Sequence, residues 1–300
     1  MKKGIILTLL AALMYGFTPV LGYISYKFGN DPITLTFFRN LFVFPVLLSI
    51  ILIKKLSLNI GLKMFFKVFF LAIFGALSTT ILLYSSYTFI GVGTSTTLHF
   101  LYPLFILFIG KFMYKDHVSK NQMLAMVVSI FGIFMFVELK DLGSLQGLLY
   151  ALFSGVTYGT FILLVDKWKV SQINSYVFAF YISIVISVFM LVFNQKVFSI
   201  NFSLELKAYV VMFFVAMLAS FIGVIFLKEG IKILGSQITS MICLIEPVSA
   251  MIFGLLFLKD AITKNQIIGM TFILTSMLIL SKKDTYEIIE EFIKSLYSKS

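Results

Sequence analysis

Between Lys232 and Lys259 the only charged side chain is Glu246, set among apolar residues and followed directly by Pro247. If such a run crosses a bilayer, an ionised group at its centre costs at least about 2.5–3.5 kcal/mol, so acids held there usually face a cavity, a partner or a proton path. Glu246 is therefore the first candidate for solute contact or proton coupling. The competing reading is a protonated acid hydrogen-bonded between helices. Arg39, the only arginine, also lies in an uncharged run. Its forked donors suit a carboxylate or phosphate, while its long stem would equally let it snorkel to the outer interface and anchor a helix.

Ser95, His99 and Tyr102 recur at helical spacing, and Thr239, Cys243 and Glu246 occupy the corresponding positions 144 residues later. Two facing polar stripes of this kind would line one pathway. His99 also reads as a satisfied interior histidine, because no second histidine or cysteine is spaced to share a metal ion. His117 falls in a loop and is expected to be solvated. Pro103 and Pro247 each withdraw a backbone donor inside a span, which kinks the helix and frees a carbonyl, either to shape a central cavity or to fit packing. Tyr15-Gly16 reappears as Tyr158-Gly159 after 143 residues, with Gly4 matching Gly147. Glycines let helices approach closely, and the tyrosines beside them either reach a cavity or simply pack. Ser78, Thr79, Thr80, Tyr84, Ser85, Ser86 and Tyr87 make one segment polar enough to face other helices rather than lipid.

These residues need a scaffold, and composition names its class. Hydrophobic residues make up 60% of the chain and charged ones 12%, against about a quarter charged in soluble domains. Only lipid solvates so much apolar surface directly. The net charge of +11 comes from lysines spread between apolar segments, which argues for membrane topology and against a nucleic-acid patch. Cys243 is the single cysteine, so no intrachain disulfide forms. No GxxxxGK[ST] loop cradles nucleotide phosphates, neither HExxH nor a serine-histidine-acid arrangement is legible, and no cofactor or metal is expected.

A helix needs about 20 apolar residues to cross the hydrocarbon core. Charge-free intervals predict ten spans at 4–26, 33–53, 68–89, 94–113, 121–138, 144–165, 174–193, 206–227, 236–257 and 265–281. The first is too long for a signal peptide's core of roughly 7–15 residues and is read as retained. Gly91-Val92-Gly93 divides the 43 uncharged residues between Lys67 and Lys111. With the amino terminus inside, seventeen lysines fall in cytoplasmic segments and six outside. That bias places both termini in the cytoplasm. The tail at 282–300 is expected to be an amphipathic helix or disordered.

The chain is duplicated. Residues 91–126 match 235–270 at nine of 36 positions, among them Gly91/Gly235, Pro103/Pro247, Lys115-Asp116/Lys259-Asp260 and Lys120-Asn121-Gln122/Lys264-Asn265-Gln266. Five spans per copy reverse the orientation of the second, as in transporters built from inverted repeats around a midplane site. The predicted fold is thus an all-α integral membrane protein of ten transmembrane helices in two inverted five-helix repeats, 4–138 and 144–281.

The duplicated ten-span pattern resembles the EamA-type members of the drug/metabolite transporter superfamily over residues 4–281. In that family each repeat tends to end with a proline in its fourth span, an apolar stretch and a Gly-Glu pair. Here these are Pro103 to Lys115-Asp116 and Pro247 to Lys259-Asp260, with lysine for the usual glycine and aspartate for the usual glutamate. Glu246-Pro247 fits the second repeat more closely than Tyr102-Pro103 fits the first, and Arg39 in the second span also fits. The resemblance implies an inner-membrane carrier with a central cavity, often an exporter of amino acids or related metabolites, driven without ATP. Small four-span multidrug members use an acid in the first span; Met14 and Tyr15 stand there instead, so that coupling scheme does not carry over.

The reading that follows is a secondary transporter in the cytoplasmic membrane, moving a small solute by alternating access and drawing on a proton or other gradient. Glu246, Tyr102, His99, Arg39, Tyr15 and Tyr158 are its expected pathway residues. A passive facilitator or channel would share the helices without coupling, and an intramembrane enzyme would need a cluster of His, Asp, Glu or Cys. Small-residue faces serve internal packing as readily as dimer contacts, so no oligomeric state follows.

Overall fold

The computed structural model describes residues 1–135, 144–259 and 262–279. The expected tail and the loop residues Lys140 and Asp260 lie outside them. Among the described residues the chain is helical, with one isolated bridge between Asn194 and Phe198. Helices are the way an open chain satisfies its own backbone in lipid.

In chain order α1 covers Lys2–Tyr26, α2 Pro32–Ile53, α3 Leu62–Gly91, α4 Thr94–Tyr114, α5 Lys120–Phe134, α6 Leu145–Lys167 and α7 Ser175–Val192. The next helical stretch, Leu206–Leu258, runs for 53 residues. That is more than twice the roughly 20 a crossing needs, and it breaks at Gly235 into α8 (206–234) and α9 (236–258). A last helix, α10, covers 264–279. Six of these helices and the long stretch are each long and apolar enough to cross a membrane, while α5 is shorter at 15 residues. Phe74, Phe112 and Leu256 are more than half exposed on the outside of the bundle, where lipid would solvate them.

The repeat is visible in the devices that start and stop helices. Gly91 at φ 71°, ψ 165° and Gly235 at φ 78°, ψ 167° end one helix and admit the next through a backbone region essentially closed to other residues. Asp31 caps α2 and Asn174 caps α7 through side-chain oxygens. Ser119 and Gln122 form a capping box on α5, with bonds of 2.8 and 3.2 Å, and Thr263 and Gln266 repeat it on α10 at 2.9 and 3.2 Å. Each repeat also carries a π-helical segment, Leu71–Leu77 in α3 and Ala216–Gly223 in α8. Lys115 and Lys259 take the left-handed C-cap conformation after α4 and α9.

The first helix of each repeat packs into the other repeat. A Cβ on Gly16 of α1 would stand 1.9 Å from Ser249 Oγ and 2.9 Å from the Glu246 carbonyl of α9, and one on Gly159 of α6 would stand 2.9 Å from the Tyr102 carbonyl of α4. Gly4 meets Ile233 and Leu234 while Gly147 meets Phe89 and Ile90, partners 144 residues apart. The core lies where these helices cross, around Tyr102, Phe161, Ile162, Leu244 and Val248. Lys228, counted from the sequence as a cytoplasmic loop charge, is instead 1% exposed. Its Nζ bonds the Ile173 carbonyl and Ser175 Oγ, because α8 continues past it to residue 234.

Candidate functional site

Where the crossed helices part, they leave a cavity of about 130 Å³. Tyr15, Thr18 and Pro19 of α1 form one wall, Thr79, Thr80, Tyr84 and Tyr87 of α3 another, and His99, Tyr158, Phe161 and Glu246 close it from the second-repeat side and α4. Arg39 enters from α2 and Ile182 from α7. Five of the six residues expected in the pathway therefore meet at one site: Glu246, His99, Arg39, Tyr15 and Tyr158.

Glu246 is 6% exposed, and its Oε1 has no hydrogen-bond partner among the described residues. It starts the helical segment Glu246–Phe253, just after the tight turn Cys243–Ile245. Pro247 follows in the first turn of that segment, and Pro103 holds the same place in Tyr102–Tyr114, after a turn at Phe100–Leu101. The prolines thus differ from interior kinks. They open the second halves of α4 and α9, where a missing N–H costs no helical bond, and the bend lies in the turn before them.

Arg39 turns inward: Nε donates to Ser220 Oγ at 2.9 Å and Nη1 to Tyr84 OH at 3.0 Å. That corrects the snorkelling alternative, and the reason is a polar partner from α3 and another from α8 at the same depth. Tyr15 and Tyr158 lie within electrostatic reach of both Arg39 and Glu246. The cavity lining therefore combines a cation, an acid and phenol rings.

His99 is held by Ser154, Nδ1 to Oγ at 2.9 Å, and Ser154 already donates its proton to the Ala151 carbonyl at 2.6 Å. Nδ1 must then be the donor, which leaves Nε2 as an acceptor in the neutral ring. His99 is both a satisfied interior histidine and a cavity wall. Its ring lies 5.2 Å from Tyr158 and 5.6 Å from Tyr102.

Tyr102 does not reach the cavity. It is 0% exposed behind His99 and Tyr158, with its hydroxyl 3.5 Å from the Ser240 carbonyl, because the turn at Phe100–Leu101 rotates it away from the face that carries His99. The expected facing stripes are likewise only half realised. His99 and Glu246 line the cavity, while Ser95, Thr239 and Cys243 are buried outside its lining. Sequence reasoning marked α3 as polar without choosing among its residues. The structure selects Thr79, bonded to Thr157 at 2.8 Å, with Thr80, Tyr84 and Tyr87. The Tyr87 hydroxyl, like Glu246 Oε1, has no partner among the described residues. No three His, Cys, Asp or Glu side chains converge as metal ligands among the described residues.

The model of the EamA-like transporter family matches residues 2–138 and again 145–282. The chain belongs to this family. An uncharacterized transporter of Clostridium kluyveri is 23% identical to this EamA chain over 301 residues, covering 93% of each. Another, from Archaeoglobus fulgidus, is 24% identical over 181 residues, 60% of this chain and 62% of its own. A solved crystal structure shares the fold with a TM-score of 0.70 at 13% identity, covering 93% of this chain and 96% of that one. The protein is accordingly a multi-pass membrane transporter, with a small solute and the lipid bilayer as its partners.

Proposed function

We propose that this EamA protein is a secondary active exporter of small zwitterionic metabolites such as amino acids, working by alternating access in the cytoplasmic membrane with both termini inside. The observation that carries the reading is the presence of both Arg39 and Glu246 in the lining of one aromatic-walled cavity between the repeats. The guanidinium suits a carboxylate through its fork, and the buried acid suits an ammonium group or a proton. A buried acid with a free acceptor changes partner at little structural cost, which is what coupling by exchange of proton for solute requires.

Size supports the same class. At about 130 Å³ the cavity is below the roughly 300–1,000 Å³ of drug-sized pockets and near the ~150 Å³ that takes a benzene ring. Loops rich in lysine at one end of the bundle support the reading of that end as cytoplasmic.

The test compares metabolites accumulating in the medium from cells expressing the wild type and Glu246→Ala at matched membrane levels. An amino acid or related zwitterion that rises outside with the wild type alone supports export through Glu246. Equal rise with both variants removes Glu246 from the mechanism. Efflux that stops when internal and external concentrations become equal identifies a facilitator.

A further inference from the structure

The geometry points to an interlocking polar latch that closes the lysine-rich end of the bundle, so that it biases the resting state toward closure on that side. It deepens the alternating-access reading above and rests on it. Lys167 at the end of α6 pairs with Asp116, in the loop between α4 and α5. Gln237, in the first turn of α9, donates to Asp116 Oδ2 at 3.3 Å, and Gln122 of α5 donates to Gln237 at 3.5 Å. Beside them Asp166 accepts from Ser236 N at 3.0 Å and Ser236 Oγ at 2.9 Å, which caps α9 just after the Gly235 break. Both groups thus bind the start of α9, just after the Gly235 break, to its neighbours, and the Asp116 group joins the two repeats.

Beneath the latch lies a dry plug of Leu107, Ala125, Met126, Met241 and Ile242. Cys243, fully buried, follows Ile242 of the plug along α9 and opens the turn that leads to Glu246 in the cavity wall. Opening this end requires the plug to separate, and the latch residues to part with it.

The sequence at the corresponding positions of the other end differs in four of the six latch residues. Shifting Asp166 and Lys167 by 143 residues gives Tyr23 and Ile24, and shifting Ser236 and Gln237 by 144 gives Val92 and Gly93. None of these supplies a carboxylate, an ammonium or an amide side chain. Duplication supplied Asp116 and Gln122 with counterparts in Asp260 and Gln266, whereas the partners Asp166, Lys167, Ser236 and Gln237 have none of like type. Since a two-state equilibrium moves by whatever differs between its states, the latch lowers the population open at the lysine-rich end.

Cys243 reports that population without any solute, so failure of the latch and failure of transport are separate results. A membrane-impermeant maleimide is applied to vesicles of each orientation bearing the wild type, Asp116→Lys, Lys167→Asp or the double exchange. The single variants are expected to label Cys243 roughly 5- to 20-fold faster than the wild type from the lysine-rich face only, and the double exchange returns the rate toward wild type. Because an unpaired charge can unfold a chain, Asp166→Ala is a second variant that removes only the Ser236 acceptor, and it gives the same one-sided rise. Wild-type rates in Asp166→Ala and in the single variants overturn the latch. So does acceleration from both faces in Asp166→Ala, or a double exchange that labels as fast as the singles.

Discussion

Replacing Gly235 by alanine separates a backbone cost from a packing cost. The residue sits at φ 78°, ψ 167°, in a region where a side chain costs on the order of 1–3 kcal/mol. Space is not the obstacle, because a Cβ there would meet Asp166 Oδ2 at 3.7 Å, an ordinary contact. Alanine also restricts the unfolded chain, which offsets about 0.4–1 kcal/mol. The net expectation for Gly235→Ala is a loss of about 1–2 kcal/mol, and Gly91→Ala, with the same backbone geometry, should lose about as much. Gly16→Ala is the steric counterpart, for its backbone is helical while its Cβ would stand 1.9 Å from Ser249 Oγ. Its loss of about 1–3 kcal/mol comes from overpacking, and Ser249→Ala should recover part of it, whereas no neighbour substitution should rescue Gly235→Ala. The assay is reversible unfolding of the detergent-purified protein with increasing SDS. A Gly235→Ala protein as stable as the wild type would refute the argument that the break between α8 and α9 depends on glycine.

Arg39→Lys keeps the charge but loses the fork that bonds Ser220 and Tyr84 together; the KM for a carboxylate-bearing solute should rise about 10-fold with kcat little changed, as read from uptake into vesicles. Lys115→Gly removes a side chain from a left-handed C-cap at φ 56° and should stabilise by about 0.5–1 kcal/mol in the same SDS titration, with Lys259→Gly adding to it. Tyr87→Phe deletes a buried hydroxyl that has no partner among the described residues; stability should rise by about 1 kcal/mol while solute affinity falls, and a loss of stability would mean that the hydroxyl is paired after all.

What was legible in the sequence was whatever depends on residue type at one position. Gly91 and Gly235 stand out because few other residues adopt their backbone conformation, and the recurring Gln122 and Gln266 because each closes a capping box with the Ser or Thr three residues before it. Glu246 was legible because an acid in an apolar run has few explanations. What depends on the rotation of one helix against another was not. Spacing puts His99 and Tyr102 on one face of an unbroken helix, yet the turn at Phe100–Leu101 sends Tyr102 behind the cavity wall. The π segment Leu71–Leu77 shifts the register of α3, so a 3.6-residue period could not choose Thr79, Thr80, Tyr84 and Tyr87 from their polar neighbours. Arg39 was ambiguous because its direction is decided by Ser220, 181 residues away.

The two repeats agree where they build and differ where they bind. Glycine breaks, caps, π segments and the glycines that seat α1 and α6 recur at offsets near 144 residues, and together they define the crossing that opens the cavity. The cavity's chemistry does not recur. Arg39 is answered by Ile182 at an offset of 143, though both line the cavity, and Glu246 and His99 are answered by Tyr102 and Cys243 at 144. Tyr15 and Tyr158 alone keep both identity and role, at the walls where the charges of the two repeats are felt together. A symmetric scaffold can present the same cavity to either side in turn. On the function proposed above, a cation on one repeat and an acid on the other would make a zwitterion bind in one orientation across the repeat boundary, and rocking of one repeat against the other would act on both its ends at once. On that proposal specificity belongs to the positions where the copies diverge, Arg39 against Ile182 and Glu246 against Tyr102, rather than to those they share.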